Sequence, residues 1–471
     1  MEIDQRMSNR LAWLLGIGVL VLIGLLLACG SSYNSASDGL LVVGSQGSGL
    51  LETFSFSLAS GHVAEISNPV SDTSSVTCAL KGQPSSLVLD PSGAFAYAIV
   101  DGNSSCGTAD NSFSIQAFTV SSSGTIATSG SPVSLNAANV QICESVNGGP
   151  NTLVPQTGVP VSPVIMTIDS AGKYLFVADS FNSITVTING APTLLPAPGA
   201  ISVFSVSGGS LTEVSGSPFT VPASCAAVAD FSALAVTPTV FPGTGVNQIQ
   251  NAVCSVTTPP TSEFLYVADK SNNNAVWQFA VNSSTGALAA LATGSLPTSV
   301  PVGTTPLGLA VDPCNRFVYA SNELTNNISA FTMCNGSATQ SLSCSQPGNP
   351  LPAGTLVPVA GSPFSVSAGA NGPGPSVVDP FGNYLYVIET LSNQVSPFKI
   401  NQATGGLTSQ SVAATGLQPT ALAIRSDDNW LFVTNYNAAT VSQYAVTPAT
   451  GALSGQPVIQ TDNYPSGIAV K

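Results

Sequence analysis

Apolar and polar positions along this chain form short segments that turn residues separate. The clearest unit covers residues 419–458. It holds an apolar run, a polar turn, a second apolar run at residues 430–433, an alternating segment to Val446, a turn at residues 450–453 and a last segment. Segments of about four to eight apolar or alternating residues between turn signals are typical of β-strands. The unit therefore predicts a four-stranded antiparallel meander.

The same order of segments recurs along the chain, which makes six complete copies. The first two predicted strands of the other five copies lie at residues 84–101, 163–179, 231–269 (with a long insertion), 306–322 and 375–389. A seventh copy is divided between the two ends, because residues 40–56 supply its later strands and residues 465–470 its first strand. Joining the two parts removes open sheet edges.

The pattern thus predicts an all-β fold, a seven-bladed β-propeller of four-stranded antiparallel blades. The ring is closed by pairing the C-terminal strand with the N-terminal blade. In this arrangement residues 468–471 pair with residues 40–44.

Several recurring motifs resemble those of the YVTN-repeat and lactonase-type seven-bladed propellers, a family that includes 6-phosphogluconolactonase-like proteins. The resemblance covers residues 40–471 and is carried by Leu-Tyr-Val-like strands followed by Asp or Asn. It is also carried by Asp-Pro-x-Gly turns, by Thr-Gly-x-Leu turns, and by Gly-Ser-Pro-Phe at residues 216–219 and 361–364, with Gly-Ser-Pro-Val at residues 130–133. The resemblance implies the fold much more strongly than an activity, because propellers serve many functions.

Composition agrees with this fold and excludes one class of partner. Hydrophobic residues make up 44% of the 471 residues and charged residues only 7%, so the polar faces that long helices need are missing. The net charge is −14, with 9 Lys and Arg against 23 Asp and Glu. Nucleic acid is excluded as a partner, because binding it requires clustered cations.

The first residues are typical of an export signal. Arg6 and Arg10 precede an apolar run at residues 11–27, and Cys29 follows in a sequence that resembles a bacterial lipobox. We expect a lipoprotein signal peptide at residues 1–28, a lipidated Cys29 with a tether to residue 39, and the propeller from residue 40. The chain would then be exported and anchored by lipid in the bacterial cell envelope, facing the periplasm or at an outer membrane. The alternative is an uncleaved membrane anchor.

Eight further cysteines in an oxidising compartment predict disulfides. Blade geometry suggests the pairs Cys78–Cys106, Cys143–Cys225, Cys314–Cys334 and Cys254–Cys344, with Cys225–Cys254 as the main rival. No pair of cysteines has C-x-x-C spacing and His62 is the one histidine, so we expect no metal site.

Loops between the second and third strands, and loops between blades, share the face on which propellers usually bind ligands. Three segments are expanded there, at residues 101–111, 136–162 and 180–199. Long loops on a repeat scaffold often carry function. The candidate acids of this face are Asp101, Asp110, Glu144, Asp179, Asp230, Asp269, Glu323 and Glu389.

Two interpretations of these polar residues remain open. Asp179, Asp269, Asn322 and Asn435 could cap β-turns through Asx hydrogen bonds. Alternatively, the acids form an acidic mouth that attracts cations.

No catalytic constellation stands out. His62 aligns with a turn on the opposite face, no Gly-x-Ser-x-Gly elbow has a usable base, and Lys81 and Lys270 are the cations placed near the channel. We therefore expect a monomeric, non-enzymatic binding module without a cofactor, whose ligand is a glycan, a peptide or an envelope protein. The alternative is a divergent lactonase-type hydrolase that acts on a neutral lactone through acidic residues.

Overall fold

The computed structural model describes 15 stretches of the chain: residues 38–66, 83–101, 113–137, 140–145, 151–156, 159–160, 163–179, 184–188, 191–195, 199–220, 229–239, 262–291, 298–337, 344–346 and 349–471. The predicted signal peptide and Cys29 lie outside these residues. Within them, no helix is both long enough and apolar enough to cross a membrane.

The chain folds into seven antiparallel blades, as the repeats predict. Blade 1 combines Pro465–Val470 with Asp38–Ser45, Leu50–Ser57 and Val63–Glu65. Blade 2 consists of Gln83–Leu89, Phe95–Asp101, Phe113–Val120 and Ile126–Ser134. The first three strands are Pro163–Ile168, Tyr174–Asp179 and Ala200–Ser207 in blade 3, and Phe231–Val236, Glu263–Asp269 and Ala275–Val281 in blade 4. They are Pro306–Val311, Phe317–Asn322 and Asn327–Met333 in blade 5, and Pro373–Val378, Tyr384–Glu389 and Gln394–Ile400 in blade 6. In blade 7 they are Pro419–Ile424, Trp430–Asn435 and Thr440–Thr447.

The outermost strand of blades 3 to 7 is divided into two short pieces, both of which pair with the third strand. The pieces are Ser210–Glu213 and Phe219–Thr220 in blade 3, and Leu288–Ala290 and Ser299–Pro301 in blade 4. They are Leu356–Pro358 and Phe364–Ser365 in blade 5, Leu407–Ser409 and Ala413–Ala414 in blade 6, and Ala452–Gly455 and Ile459–Gln460 in blade 7. A 3-10 helix, Tyr436–Ala438, follows the second strand of blade 7.

The predicted closure of the ring is confirmed. Leu41 pairs with Val470 and Val43 with Ile468. Leu40 and Lys471 exchange two backbone hydrogen bonds, of 3.2 and 2.9 Å. The first and last strands of the ring are thus held together inside one sheet.

The tyrosine of the Leu-Tyr-Val motif holds neighbouring blades together. Tyr266 donates its hydroxyl to the Gly354 carbonyl of the next blade at 2.7 Å, and Tyr319 reaches Gly405 at 3.1 Å in the same way. Both rings are fully buried. A buried ring with a satisfied hydroxyl contributes apolar contact and orientation together.

Two of the expanded segments contain antiparallel hairpins. Val140–Ser145 pairs with Asn151–Gln156 above a short stem of Asn136–Ala137 and Val159–Pro160. Ile184–Ile188 pairs with Ala191–Leu195, and the latter strand lies beside Val140–Ser145. A smaller hairpin of Ser345–Gln346 and Asn349–Pro350 interrupts blade 5.

The expected cysteine pairs of blade 5 are wrong, because Cys334 forms its disulfide with Cys344. The segment between the third and fourth strands folds back, so Cys344 and Leu351 pack on Cys334 in one buried cluster. Cys334 is therefore not the partner of Cys314, nor is Cys344 the partner of Cys254. Cys314 is disulfide-bonded as well. Cys78, Cys106, Cys225 and Cys254, and the side chain of Cys143, lie outside the described residues.

Candidate functional site

The chain direction defines two faces of the ring. The upper face carries the loops between second and third strands and the loops between blades, so each first strand starts there and each second strand ends there. The lower face carries the other turns. His62 lies exposed in a lower-face turn, as its alignment predicts.

A central channel is lined by the first strands of all seven blades and encloses a cavity of about 340 Å³. Its wall combines apolar side chains, backbone and small hydroxyl side chains, and no lining residue in the described part is charged. The hydroxyl groups come from Ser86, Ser232, Ser376, Thr420 and Ser466. A cavity of this size is in the range of small-ligand pockets, which run from about 300 to 1,000 Å³.

Every first strand carries a bulge near its upper end. In blade 4, Phe231 pairs with Asp269 but Ala233 already pairs with Ala268, which leaves Ser232 as the extra residue. A bulge turns the extra side chain out of the regular alternation. Ser232 consequently donates to the Pro306 carbonyl of the next blade at 2.5 Å.

One channel hydroxyl has no partner of its own. Thr420 donates to the Pro465 carbonyl at 3.2 Å, and Ser86 accepts from the Met166 amide at 3.2 Å. The Ser376 hydroxyl oxygen, in contrast, is buried with no hydrogen-bond partner among the described residues. A buried hydroxyl without a partner is costly, so this group would gain a hydrogen bond if its side chain turned toward a ligand in the channel.

Three of the predicted acids are buried rather than exposed. Asp179, Asp269 and Glu389 end the second strands of blades 3, 4 and 6, and each has 0% exposure. Ser45, Asn322 and Asn435 end the same strand in blades 1, 5 and 7. These carboxyl groups therefore do not form a solvent-facing acidic mouth.

The buried groups tie the second strand to the third. Ser202 donates to Asp179 at 2.7 Å, and Asn435 donates to Ser442 at 2.9 Å. Asp269 accepts from Trp277 Nε1 at 3.1 Å and also from the Ser271 amide at 3.0 Å. The Asx-turn interpretation thus describes one of the contacts of Asp269, while Asp179 and Asn435 act across strands.

Burial changes the titration of the two carboxyl groups that have few donors. It raises the pKa of Asp179 to about 7, against the lowering effect of the Ser202 hydroxyl. It also raises the pKa of Glu389 to about 7. Desolvation penalises the charged carboxylate, which explains both directions.

The remaining predicted acids are distributed around the ring. Asp230 lies 3.8 Å from Lys270, and Glu323 accepts from Thr390 Oγ1 at 3.5 Å between blades 5 and 6. Asp110 and the side chains of Asp101 and Glu144 lie outside the described residues. In the parts of the chain that are described, no group of three or more His, Cys, Asp or Glu side chains could hold a metal ion.

Blade 1 contains an upper-face carboxyl group that the sequence pattern did not indicate. Glu52 takes the third-strand position that Ser442 holds in blade 7, and it accepts from Ser45 at 2.6 Å and from the Asp462 amide at 3.1 Å. Burial raises its pKa, against the effects of those two donors. An alignment of the third strands of the repeats could have found it, because Ser or Ile stands there in five other blades.

The upper face of blades 5 to 7 and 1 exposes four large apolar or aromatic side chains among polar loop residues. These are Leu324, Leu391, Leu417 and Tyr464.

Comparison with known proteins identifies relatives of the whole ring. A model of the family described as "Lactonase, 7-bladed beta-propeller" matches residues 70–471. Among solved structures, the periplasmic gluconolactonase of Pseudomonas aeruginosa superposes with a TM-score of 0.57 at 19% identity, covering 92% of this chain and 99% of that chain. A candidate 6-phosphogluconolactonase of Bacteroides fragilis gives a TM-score of 0.60 at 18% identity, with 92% and 98% covered. No curated protein matches the chain significantly.

Proposed function

Because the chain belongs to the Lactonase, 7-bladed beta-propeller family, we propose that it binds a small, neutral, hydroxyl-rich ligand in the upper end of its central channel. A sugar or a sugar lactone has this chemistry. The observation that carries the proposal is the channel wall, which offers hydroxyl groups and backbone but no charged side chain in its described part.

The absence of charge from that wall selects among ligands. Recognition of a phosphate depends on Arg or Lys, whose charge-assisted hydrogen bonds are the strong ones. A neutral polyol instead needs donors and acceptors of moderate strength, such as the hydroxyl side chains and backbone groups of the channel wall. The names of the two relatives, a gluconolactonase and a candidate 6-phosphogluconolactonase, support a sugar lactone over other neutral ligands.

A second candidate function is hydrolysis of a neutral lactone. Glu52 is the observation that favours it, because this carboxyl group lies on the upper face, where Ser45 and the Asp462 amide hold it, and burial raises its pKa. A carboxylate of this kind can act as a general base that activates water for attack on the lactone carbonyl. Catalysis then requires the ligand to reach Glu52 from the channel.

Calorimetric titration of the full-length chain tests the binding proposal. The ligands are D-glucose, D-galactose and D-glucono-1,5-lactone, and the detergent has no sugar head group. Ser376→Leu fills the channel and should lower the affinity at least tenfold. Val458→Ser changes an exposed side chain on the outer rim and should leave the affinity unchanged. If neither the sugars nor the lactone bind, or if Ser376→Leu binds as well as the parent chain, the proposal is wrong.

Lactone consumption in a pH-stat tests the second candidate. Turnover above the spontaneous rate that disappears in Glu52→Gln would support hydrolysis. Turnover that is unchanged by this substitution would exclude Glu52 as the base. Binding without turnover would leave the chain as a binding module.

The location of this activity is a separate proposal. We propose that Cys29 is lipidated after removal of residues 1–28, which would hold the propeller in the bacterial cell envelope. The apolar run at residues 11–27 and the cysteine at its end support this. Labelled palmitate should be incorporated by the parent chain and not by Cys29→Ser.

A further inference from the structure

Two tyrosines stack beside the channel on the upper face. Tyr436 follows the second strand of blade 7 and Tyr464 precedes the first strand of blade 1. Their ring centroids are 4.9 Å apart and the ring planes are tilted by 31°. Ser466, which lines the channel cavity, is two residues after Tyr464, a span of about 7 Å at most.

The backbone of Tyr464 has an unusual conformation. Its φ is +62°, and the residues at the same position before blades 5, 6 and 7 also have positive φ: Thr305, Gly372 and Gln418. A large aromatic residue is disfavoured in this left-handed region. Tyr464 is nevertheless 46% exposed, so core packing does not explain its presence. The positive φ is a shared feature of these junctions, and the aromatic side chain is what distinguishes the junction before blade 1.

Polar groups hold the two rings in place. The Tyr436 hydroxyl donates to Gln46 Oε1 at 3.3 Å, and the Tyr436 amide donates to the Gln418 carbonyl at 2.9 Å. The backbone N–H of Gln46 donates to the Tyr464 carbonyl at 2.9 Å. The Asn437 amide group bonds to Gln418 Oε1 beside them. The rings are therefore pre-organised before any ligand arrives.

The charges near this pair exclude anions. Glu52 and Asp462 lie in the adjoining strand and loop. In the described loops 45–49, 415–418, 436–439 and 461–464 there is no Lys, Arg or His. An anionic ligand would meet carboxylates without a compensating cation.

We propose that Tyr436 and Tyr464 form a rim subsite that stacks on a ring of a neutral oligosaccharide whose terminal residue occupies the channel. This inference rests on the proposed channel function and extends the ligand class from a monosaccharide to a short glycan. The aromatic faces contact the C–H face of the sugar ring, and the side-chain amides of Gln46, Gln418 and Asn437 bond its hydroxyl groups.

Paired titrations test the subsite on the full-length chain. The probes are glucose, galactose and the neutral trisaccharides maltotriose, cellotriose, xylotriose and mannotriose. Tyr464→Gly removes the ring and suits the positive φ, and we expect at least a tenfold loss of trisaccharide affinity with monosaccharide affinity unchanged within twofold. Thr305→Gly is the matched control, because it truncates the same position before blade 5, and it should change neither affinity.

The outcomes separate the two proposals. If monosaccharides bind and trisaccharides bind no more tightly, or if Tyr464→Gly leaves trisaccharide affinity intact, the rim subsite is wrong while the channel proposal stands. If none of the sugars binds, both are wrong. A change from dimer to monomer caused by Tyr464→Gly would assign the rings to contact with a second copy and would overturn the subsite.

Discussion

Asp379 and Asp428 bring two buried carboxyl groups into contact between blades 6 and 7 on the lower face. Both have 0% exposure, and Asp379 Oδ2 and both carboxyl oxygens of Asp428 have no hydrogen-bond donor in the described part. Asp428 has φ +59° and occupies the turn position that Gly382 holds in blade 6. Two carboxylates in contact offer only acceptors, so one of them must hold a proton to form a hydrogen bond.

This pair makes stability depend on pH in a definite direction. Burial raises the pKa of Asp428 to about 8, with the neighbouring Asp379 acting in the same direction, and burial raises the pKa of Asp379 to about 6. An unfolded Asp titrates near pH 3.9, so the folded state binds more protons between about pH 4 and pH 8. The free energy of unfolding should therefore fall as pH rises from 5 to 8.

Asp428→Asn tests the origin of this dependence. The amide keeps the shape, tolerates positive φ and donates to Asp379, so the free energy of unfolding at pH 8 should rise by about 1–3 kcal/mol. In denaturant titrations at pH 5, 6, 7 and 8, the free energy of unfolding of this variant should also change less with pH than that of the parent chain. Asp427→Asn, in the same turn but one-third exposed, is the control and should keep most of the parent pH dependence, because Asp427 contributes least to the raised pKa of Asp428. If the free energy of unfolding depended on pH equally in Asp428→Asn and in the parent chain, the two carboxyl groups would not share a proton.

The seam between blades 7 and 1 lacks a contact that other blades make. Asn393 has positive φ, and its side chain accepts from the Gln418 amide at 2.7 Å; Asn326 accepts from Gly372 at 2.9 Å. Ala439 has the same positive φ at this position in blade 7, so it offers no side-chain acceptor.

Ala439→Asn should therefore stabilise the ring by about 1 kcal/mol, through a left-handed backbone that Asn tolerates and a new acceptor for the Tyr464 amide. Thermal unfolding followed by circular dichroism measures the gain. Ala439→Gly relieves the backbone but adds no acceptor, and it should give a smaller gain. A glycine variant as stable as the asparagine variant would contradict the predicted hydrogen bond.

Close contact between two first strands makes Gly308 irreplaceable. A Cβ atom there would lie 2.2 Å from the Gly374 carbonyl oxygen of the next blade. Because that neighbour is backbone, Gly308→Ala should lower the free energy of unfolding by about 1–3 kcal/mol. Gly455→Ala, where no atom lies within 4 Å, should change it by less than about 0.5 kcal/mol. If urea titrations gave similar free energies of unfolding for the two variants, the backbone of the channel wall would be able to move aside for a Cβ atom at residue 308.

Removal of the closing strand tests the ring itself. A chain that ends at Tyr464 loses the pairing of Leu41 and Val43 and one-seventh of the channel wall. We expect its thermal transition to broaden and shift to lower temperature, and a synthetic peptide of residues 463–471 to reverse the shift. An unchanged transition would mean that closure does not support the ring.

The sequence predicts the architecture well because each blade repeats a local pattern. Apolar runs such as residues 430–433 and the turns after them follow from strand periodicity and turn chemistry, which are local. Even the pairing of Leu41 with Val470 was predictable, since the two incomplete copies leave one consistent closure.

The site was less predictable because burial depends on neighbours far away in the chain. Asp179 and Glu389 follow apolar strands in the sequence and look solvent-facing, but the third strand of each blade covers them. Ser376 becomes a channel residue because the first strands of all seven blades meet around one axis, which no single repeat shows. The Cys334–Cys344 disulfide likewise depends on how an insertion folds back.

A crystal structure of the full-length chain with its tightest-binding neutral sugar would show whether the ligand occupies the channel. We predict one ligand in the upper end of the channel, enclosed by first strands of several blades and in contact with their hydroxyl side chains. A ligand that binds on the lower face or the outer rim, with the channel left to solvent, would contradict the account.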